Sequence, residues 1–464
     1  MTHRIKKRIR FYRWKNWFLA IGILGMAVSL HAAKRNDQEG LKKMEKLGHY
    51  TGISVEGVDR GTLENKMVVG YQGWYNAEGD GAEIGWRHYS FKGAFKPGNT
   101  CIDYWPDVSE LGEDEKYKTP FQKEDGSPAY VFSDYNQKTV TRHFQWMKDY
   151  GIDVAFLQRF GNSVIKDPET FNHCNTVLRN VREAANLTGR AYVVMYDLSG
   201  LREDSLEAMK EDWRRLVRMM GITKDPADKA YLHHRGKPLV AVWGIGFSEK
   251  TSEQSGKRAF DFLKQKEFVD FLQHDPEVGG CAVMVGIPTA WRTLTRDSIR
   301  DPEFHEFLKS VEVISPWTPG RYRTPQQVVE HANKYWREDV EWTKKNGVDY
   351  LPVVFPGFSW VNKNPTEKLN DIPRLGGKFL WTQYVELKKL GVKMVYESMF
   401  DEMDEGTQIF KTDSHPPVGT SSFCWYGMDE GTPLASDYYL WLVGEAAKMI
   451  RGERELSVQM PKRE

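Results

Sequence analysis

The chain has 464 residues, 40% of them apolar, with 21 Pro and 40 Gly, which suits one large barrel or two to three ordinary domains. Its formal net charge of +1 hides an asymmetry: residues 1–33 hold seven Lys/Arg and no Asp/Glu, which leaves the remainder at −6. A mildly acidic protein is a poor binder of nucleic acid or anionic membrane, so no nucleic-acid partner is expected.

Arg4, Lys6, Lys7, Arg8, Arg10, Arg13 and Lys15 form a basic stretch ahead of an apolar run from Trp17 to Leu30. His31-Ala32-Ala33 then supplies small residues. This order predicts a secretory signal peptide over 1–33, with an uncleaved membrane anchor as the alternative. A run this short spans a bilayer poorly, so no stable membrane insertion is expected after cleavage. The expected location is secreted or periplasmic. Residues 34–64 are polar and charged and read as a linker, 65–455 as one domain, and 456–464 as a tail.

Eight apolar runs follow: Met67 to Trp74, Val154 to Phe160, Ala191 to Leu198, Pro238 to Phe247, Gly280 to Pro288, Val313 to Tyr322, Tyr350 to Trp360 and Lys393 to Phe400. Helical patterns lie between them at 139–150, 168–187, 203–220, 256–274, 324–345 and 376–390, with a last one at 436–451. The alternation predicts an α/β fold, a (β/α)8 TIM barrel whose parallel strands are buried on both faces. A doubly wound open sheet is the runner-up, but it calls for a Gly-rich phosphate turn after an early strand, and the sequence has none. Gly79 to Asn136 shows no helical pattern and reads as a long loop over the C-terminal face. Cys101, Cys174, Cys281 and Cys424 are far apart with no C-x-x-C, so they read as buried thiols, and neither a cofactor nor a metal site is called for.

In a barrel, chemistry sits where strands end. The eighth run ends in Asp401-Glu402-Met403-Asp404-Glu405-Gly406-Thr407, an unusual concentration of like charge. Carboxylates three apart on a helical turn lie roughly 5–6 Å apart. That is near the roughly 5–5.5 Å separation of retaining sugar hydrolysis. Glu402 and Glu405 are therefore the candidate catalytic pair; an acidic loop or a Ca²⁺ or Mg²⁺ site is the bland alternative. The other strand ends offer candidate substrate contacts. Tyr71, Trp74 and Tyr75, with Arg87 and His88 beyond, follow the first run. Gln158 and Arg159 end the second, Tyr196 and Asp197 the third, and Trp243 the fourth. Trp317, Arg321 and Tyr322 follow the sixth, and Trp360 the seventh; Asp401 and Asp404 flank the pair. Sixteen Trp exceed what a core needs, and flat aromatic faces suit sugar rings, so an oligo- or polysaccharide partner is expected. The structural alternative is that Arg159 and Arg321 neutralise buried acids such as Asp197.

Asp401-Glu402-Met403-Asp404-Glu405-Gly406-Thr407-Gln408 resembles the Asn-Glu-aromatic-His-Glu-Gly-Thr-Gln signature of glycoside hydrolase family 99, the endo-α-mannosidases and endo-mannanases. Wider stretches are similar to bacterial proteins grouped as family 71/99-like. These include Gly70 to Trp74, Trp105 to Glu110, Gln158-Arg159-Phe160, Met195 to Gly200, Val242 to Phe247, Pro356 to Trp360 and Phe400 to Lys411. The resemblance implies a retaining hydrolase of α-linked glycans, mannan- or glucan-type. It also implies that Glu402 assists attack by the sugar 2-hydroxyl and that Glu405 is the general acid/base. Glu405 then needs a raised pKa, which like charge from Asp401, Asp404 and Glu402 would supply. Asp401 replaces the family's Asn and Asp404 its His, so the substrate does not transfer with the motif. Two other readings compete: a catalytically inactive glycan-binding barrel whose acidic cluster is structural or binds Ca²⁺, and a metal-dependent esterase. The esterase needs His at strand ends, and His233-His234 precede the fourth run, at the wrong end.

Overall fold

The structure is a computed structural model that describes residues 47–90, 93–165, 167–248 and 260–463. The expected signal peptide, residues 34–46 of the expected linker and the start of the expected 256–274 helix lie outside the described residues. The compact unit is His49–Glu464.

Eight parallel strand positions make the sheet: β1 Met67–Tyr71, β2 Val154–Phe160, β3 Ala191–Asp197, β4 Lys237–Trp243, β5 Ala282–Ile287, β6 Val313–Pro316, β7 in two pieces, Asp349–Tyr350 and Val353–Val354, and β8 Val395–Glu397. Each pairs with its neighbours in chain order, and β8 pairs back onto β1 through Met67↔Val395 and Val69↔Glu397. Pro352 lacks the N–H a ladder needs, so β7 breaks around it. Its first piece pairs with β6 and its second with β8, and so the barrel closes. The longest ladder, β2 on β3, runs in register from Val154↔Ala191 to Phe160↔Asp197.

Side chains alternate in and out along each strand. Val68, Phe156, Val193, Met195, Ala241, Met284, Val313, Val353 and Tyr396 fill the barrel interior. The outward set packs on helices that start and stop by local chemistry. The side chain of Asn136 accepts from Lys138 N at the head of Gln137–Asp149. Asp167 caps Pro168–Thr188, with Pro at the first turn and Gly189 in the left-handed region (φ 70°) at its end. Thr324 caps Pro325–His331, which continues through a wider turn, Ala332–Trp336, into Arg337–Asn346.

Three stretches carry more structure than their composition suggested. Residues 49–63 are not a loose linker but lie under the barrel. Val55 N and Val58 N donate to Asn186 O and Gly189 O, Leu63 N donates to His234 Nδ1, and Leu63 is fully buried in the barrel core. The tail also packs back: Trp381 Nε1 donates to Ser457 O, and Arg463 pairs with Asp437. The long loop after β1 holds a two-stranded hairpin, Tyr117–Gln122 against Pro128–Val131. Among the described residues, no helix is long and apolar enough to cross a membrane. All four cysteines are free thiols, three of them buried.

Candidate functional site

β8 is short because Phe400 N donates to Gly70 O and Ile409 N to both Met399 O and Phe400 O, so the chain turns back at the barrel rim. Residues 401–406 form a tight turn closed by Thr407 N donating to Glu402 O (3.1 Å), not the helical turn that the spacing suggested. Gly406 makes this turn possible. Its φ is +65°, and a Cβ there would lie 2.7 Å from the backbone N of Ser359. Gly406→Ala is therefore expected to cost at least about 1–2 kcal/mol, read from the urea midpoint, and to misplace Glu405.

Each acidic side chain in the turn has its own setting. Asp401 is fully buried and accepts from Gln72 N (2.7 Å) and Gly73 N (2.9 Å), which locks the turn to the end of β1. Burial raises its carboxyl to about 7 despite those donors. Glu402 is 6% exposed and accepts from Gln72 Nε2 and Thr407 Oγ1, both at 2.7 Å. Burial, then repulsion from Glu405 and Asp404, pushes it well above the carboxylate range. Burial pushes the Asp404 carboxyl up, but Lys363 Nζ (3.3 Å) and His88 Nδ1 (3.5 Å) outweigh it and hold the pKa low; the Tyr75 hydroxyl also donates to Asp404 (3.3 Å). Glu405 is the most exposed of the four, with 31% of its side chain open, and pairs with Lys363 at 3.2 Å. Its pKa is raised chiefly by burial, with Asp404 adding and Lys363 opposing. The expected like-charge push on Glu405 thus comes from Asp404, and burial is the larger cause.

Around the turn, the inward parity of the strands selects the wall. Gln158 faces in, and its Nε2 donates to the Tyr396 hydroxyl at 3.2 Å on the barrel floor. Asp197 follows inward-facing Met195. Ser199 N donates to it at 2.7 Å, and burial lifts it to about 6. Trp243 and Trp317 meet edge to face at 5.5 Å above the core. Gly286 makes room for Trp243, since a Cβ there would lie 2.5 Å from the indole. Trp74 stacks on His88 at 3.8 Å and on Phe160 at 5.3 Å. Arg87 NH2 donates to Ser163 Oγ beside that wall, and Trp360 precedes Lys363 on the loop after β7.

Four expected substrate contacts are not brought to the cleft, three of them because of strand parity. Tyr71, Arg159 and Tyr196 point outward into the helix layer. Tyr71 bonds Asp134 and His143, while Arg159 and Tyr196 both bond Asp212. Tyr322 is buried behind the wall, donating to Gln383 Oε1. Tyr75 lies beneath the acidic turn, where its hydroxyl accepts from Met403 N at 2.8 Å. Arg321 pairs with Asp297 at 2.7 Å. The two arginines do neutralise acids, but these are Asp212 and Asp297, not Asp197. His234 sits at the N-terminal end, bonded to Asp349. Lys363 is the site residue the sequence reading passed over. Its signal was a cation three residues after Trp360 on a rim loop.

A closed (β/α)8 barrel with buried carboxyls at the C-terminal rim belongs to the class of barrels whose sites form on the loops after the strands. Within that class, the chain shares its fold with glycoside hydrolase family 99 endo-α-mannosidases from Bacteroides thetaiotaomicron. One structure, with bis-tris-propane bound, has TM-score 0.59 at 15% identity and covers 85% of this chain and 100% of that one. A second has TM-score 0.58 at 15% identity, with coverage of 84% and 99%. No protein-family model and no curated protein sequence matches the chain.

Proposed function

We propose that the protein is a secreted retaining glycoside hydrolase acting on α-linked glycans of mannan or glucan type. The observation that carries this reading is the Glu402–Glu405 pair, held in a buried turn at the end of β8 of a barrel with the family 99 fold. The Asp-Glu-Met-Asp-Glu-Gly-Thr-Gln run supplies the chemistry that fold alone does not.

Repulsion between two close carboxyls makes the second proton hard to lose, so the pair keeps one proton over a wide pH range. Glu405, the more exposed member, donates it to the leaving oxygen. Glu402 then takes the proton of the sugar 2-hydroxyl as that oxygen attacks the anomeric carbon. Gln72 and Thr407 orient Glu402 through both of its oxygens. Trp243, Trp317 and Asp197 offer aromatic faces and a carboxylate to the ring that is cleaved. This aromatic wall joined to polar groups suits a glycan.

The test is a panel of α-mannans, α-glucans and aryl α-glycosides, with product configuration followed by NMR. Cleavage with retained configuration supports the reading. Binding without cleavage of any member, unchanged in Glu402→Gln, would leave the inactive glycan-binding barrel. A second expectation concerns the aromatic wall: Trp243→Ala is expected to raise KM more than it lowers kcat, because the ring touches sugar in the ground and transition states alike.

A further inference from the structure

We propose that Lys363 is a positioning residue of this site: from the loop after β7 it holds Asp404 and Glu405 together, and so sets the pH window in which the glutamate pair keeps its working proton. The inference rests on the glycosidase reading only for its kinetic readout.

Lys363 Nζ lies 3.2 Å from Glu405 Oε1 and 3.3 Å from Asp404 Oδ2, with 23% of its side chain exposed. A cation this shielded acts on its neighbours through a lower dielectric than an open surface pair would. The loop is built to keep it there. Buried Asp103 accepts from Ser359 Oγ (2.6 Å), Val361 N (2.8 Å) and Asn362 N (2.9 Å). Asn362 Nδ2 in turn donates to Ile102 O and Ser422 O. The Trp360 ring lies 5.9 Å from Nζ, within cation–π range. Asp103 N also donates to Met403 O at 3.1 Å, which ties the clamp to the acidic turn itself.

The other titratable groups facing the pair come from three places. Asp401 and Asp404 belong to the turn, His88, Tyr75 and the buried Cys101 thiol to the loop after β1, and Tyr396 to the barrel floor. Burial keeps the His88 imidazole below its ordinary pKa, so it adds little charge near neutrality. Lys363 therefore supplies the cation that opposes burial and repulsion at Glu405. It also pulls down Glu402 through space. Without it, both proton affinities of the pair rise.

The test compares wild type, Lys363→Met and Lys363→Arg. In Lys363→Met both limbs of the kcat/KM pH profile are expected to move to higher pH by about one unit. Lys363→Arg is expected to keep them near wild type. A ¹³C NMR titration of the side-chain carboxyls, assigned through the signal lost in Glu405→Gln, reads the same shift without turnover. Limbs that stay in place while kcat/KM falls, or a Glu405 titration unchanged in Lys363→Met, would overturn the proposal. If wild type cleaves no glycan, the NMR shift still decides the role of Lys363, and only the glycosidase reading falls.

Discussion

Glu405→Gln is expected to lower kcat about 10²–10⁴-fold on natural α-glycans, whose leaving sugars depart poorly without a proton. An amide of the same shape keeps the contact to Lys363 but has no proton to give. The loss should shrink on aryl glycosides with acidic leaving groups, since those depart unassisted. Glu402→Gln is expected to be equally damaging on both kinds of substrate, because the 2-hydroxyl must lose its proton whatever leaves. This difference between the two variants separates the roles. Equal losses across all leaving groups in Glu405→Gln would remove Glu405 from the acid position. Little loss in either variant would remove the pair from the chemistry.

The electrostatics explain why two glutamates in one turn can do different work. Glu402 accepts from a neutral donor at each oxygen in a closed pocket; burial and the neighbouring carboxylates oppose its charge, and those two donors favour it. Glu405 opens to the cleft and leans on a cation. The arrangement fits a single proton delivered outward from Glu405 while Glu402, oriented by its two donors, receives the proton of the sugar 2-hydroxyl. The extra carboxylates, Asp401 and Asp404, do not share this task. Asp401 is spent on two backbone N–H groups at the end of β1, and Asp404 on Lys363, His88 and Tyr75.

The barrel was legible because parallel strands buried on both faces write themselves as continuous apolar runs, and eight such runs came between helical patterns. The acidic turn was legible because four carboxylates at a strand end have no cheap structural explanation. The side of each strand was harder to read. Both faces of Val154–Phe160 are covered, so its composition does not say that Gln158 looks inward and Arg159 outward. Yet the period of two was available: with Phe156 in the interior, Gln158 must join it, and Tyr196 must turn away if Asp197 faces the cleft. Tyr322 fell outside that rule, since it lies beyond β6 on a loop. Lys363 depends on a contact between two rim loops 41 and 42 residues from its partners, which no local pattern encodes. The packing of residues 49–63 under the barrel was missed for a related reason. That segment is polar in composition and is held largely by its backbone, through Val55, Val58 and Arg60.

Arg159→Met should therefore be a stability variant rather than a binding variant. Arg159 is 2% exposed and meets Asp212 through two bonds of 2.7 Å, with Asn175 Oδ1 accepting a third at 2.9 Å. The Tyr196 hydroxyl donates to the same carboxylate at 2.7 Å. Methionine fills most of the space left by the aliphatic stem but strands the Asp212 charge in the helix layer. Breaking a buried pair from one side costs about 3–5 kcal/mol, because the remaining charge keeps its desolvation penalty and loses its partner. Urea denaturation should show that loss, and KM for whatever glycan is cleaved should stay near the wild-type value in the folded fraction. The double variant Arg159→Met with Asp212→Leu should recover much of the stability, since it removes the stranded charge along with the pair. A single variant with an unchanged urea midpoint and a raised KM would return Arg159 to the cleft.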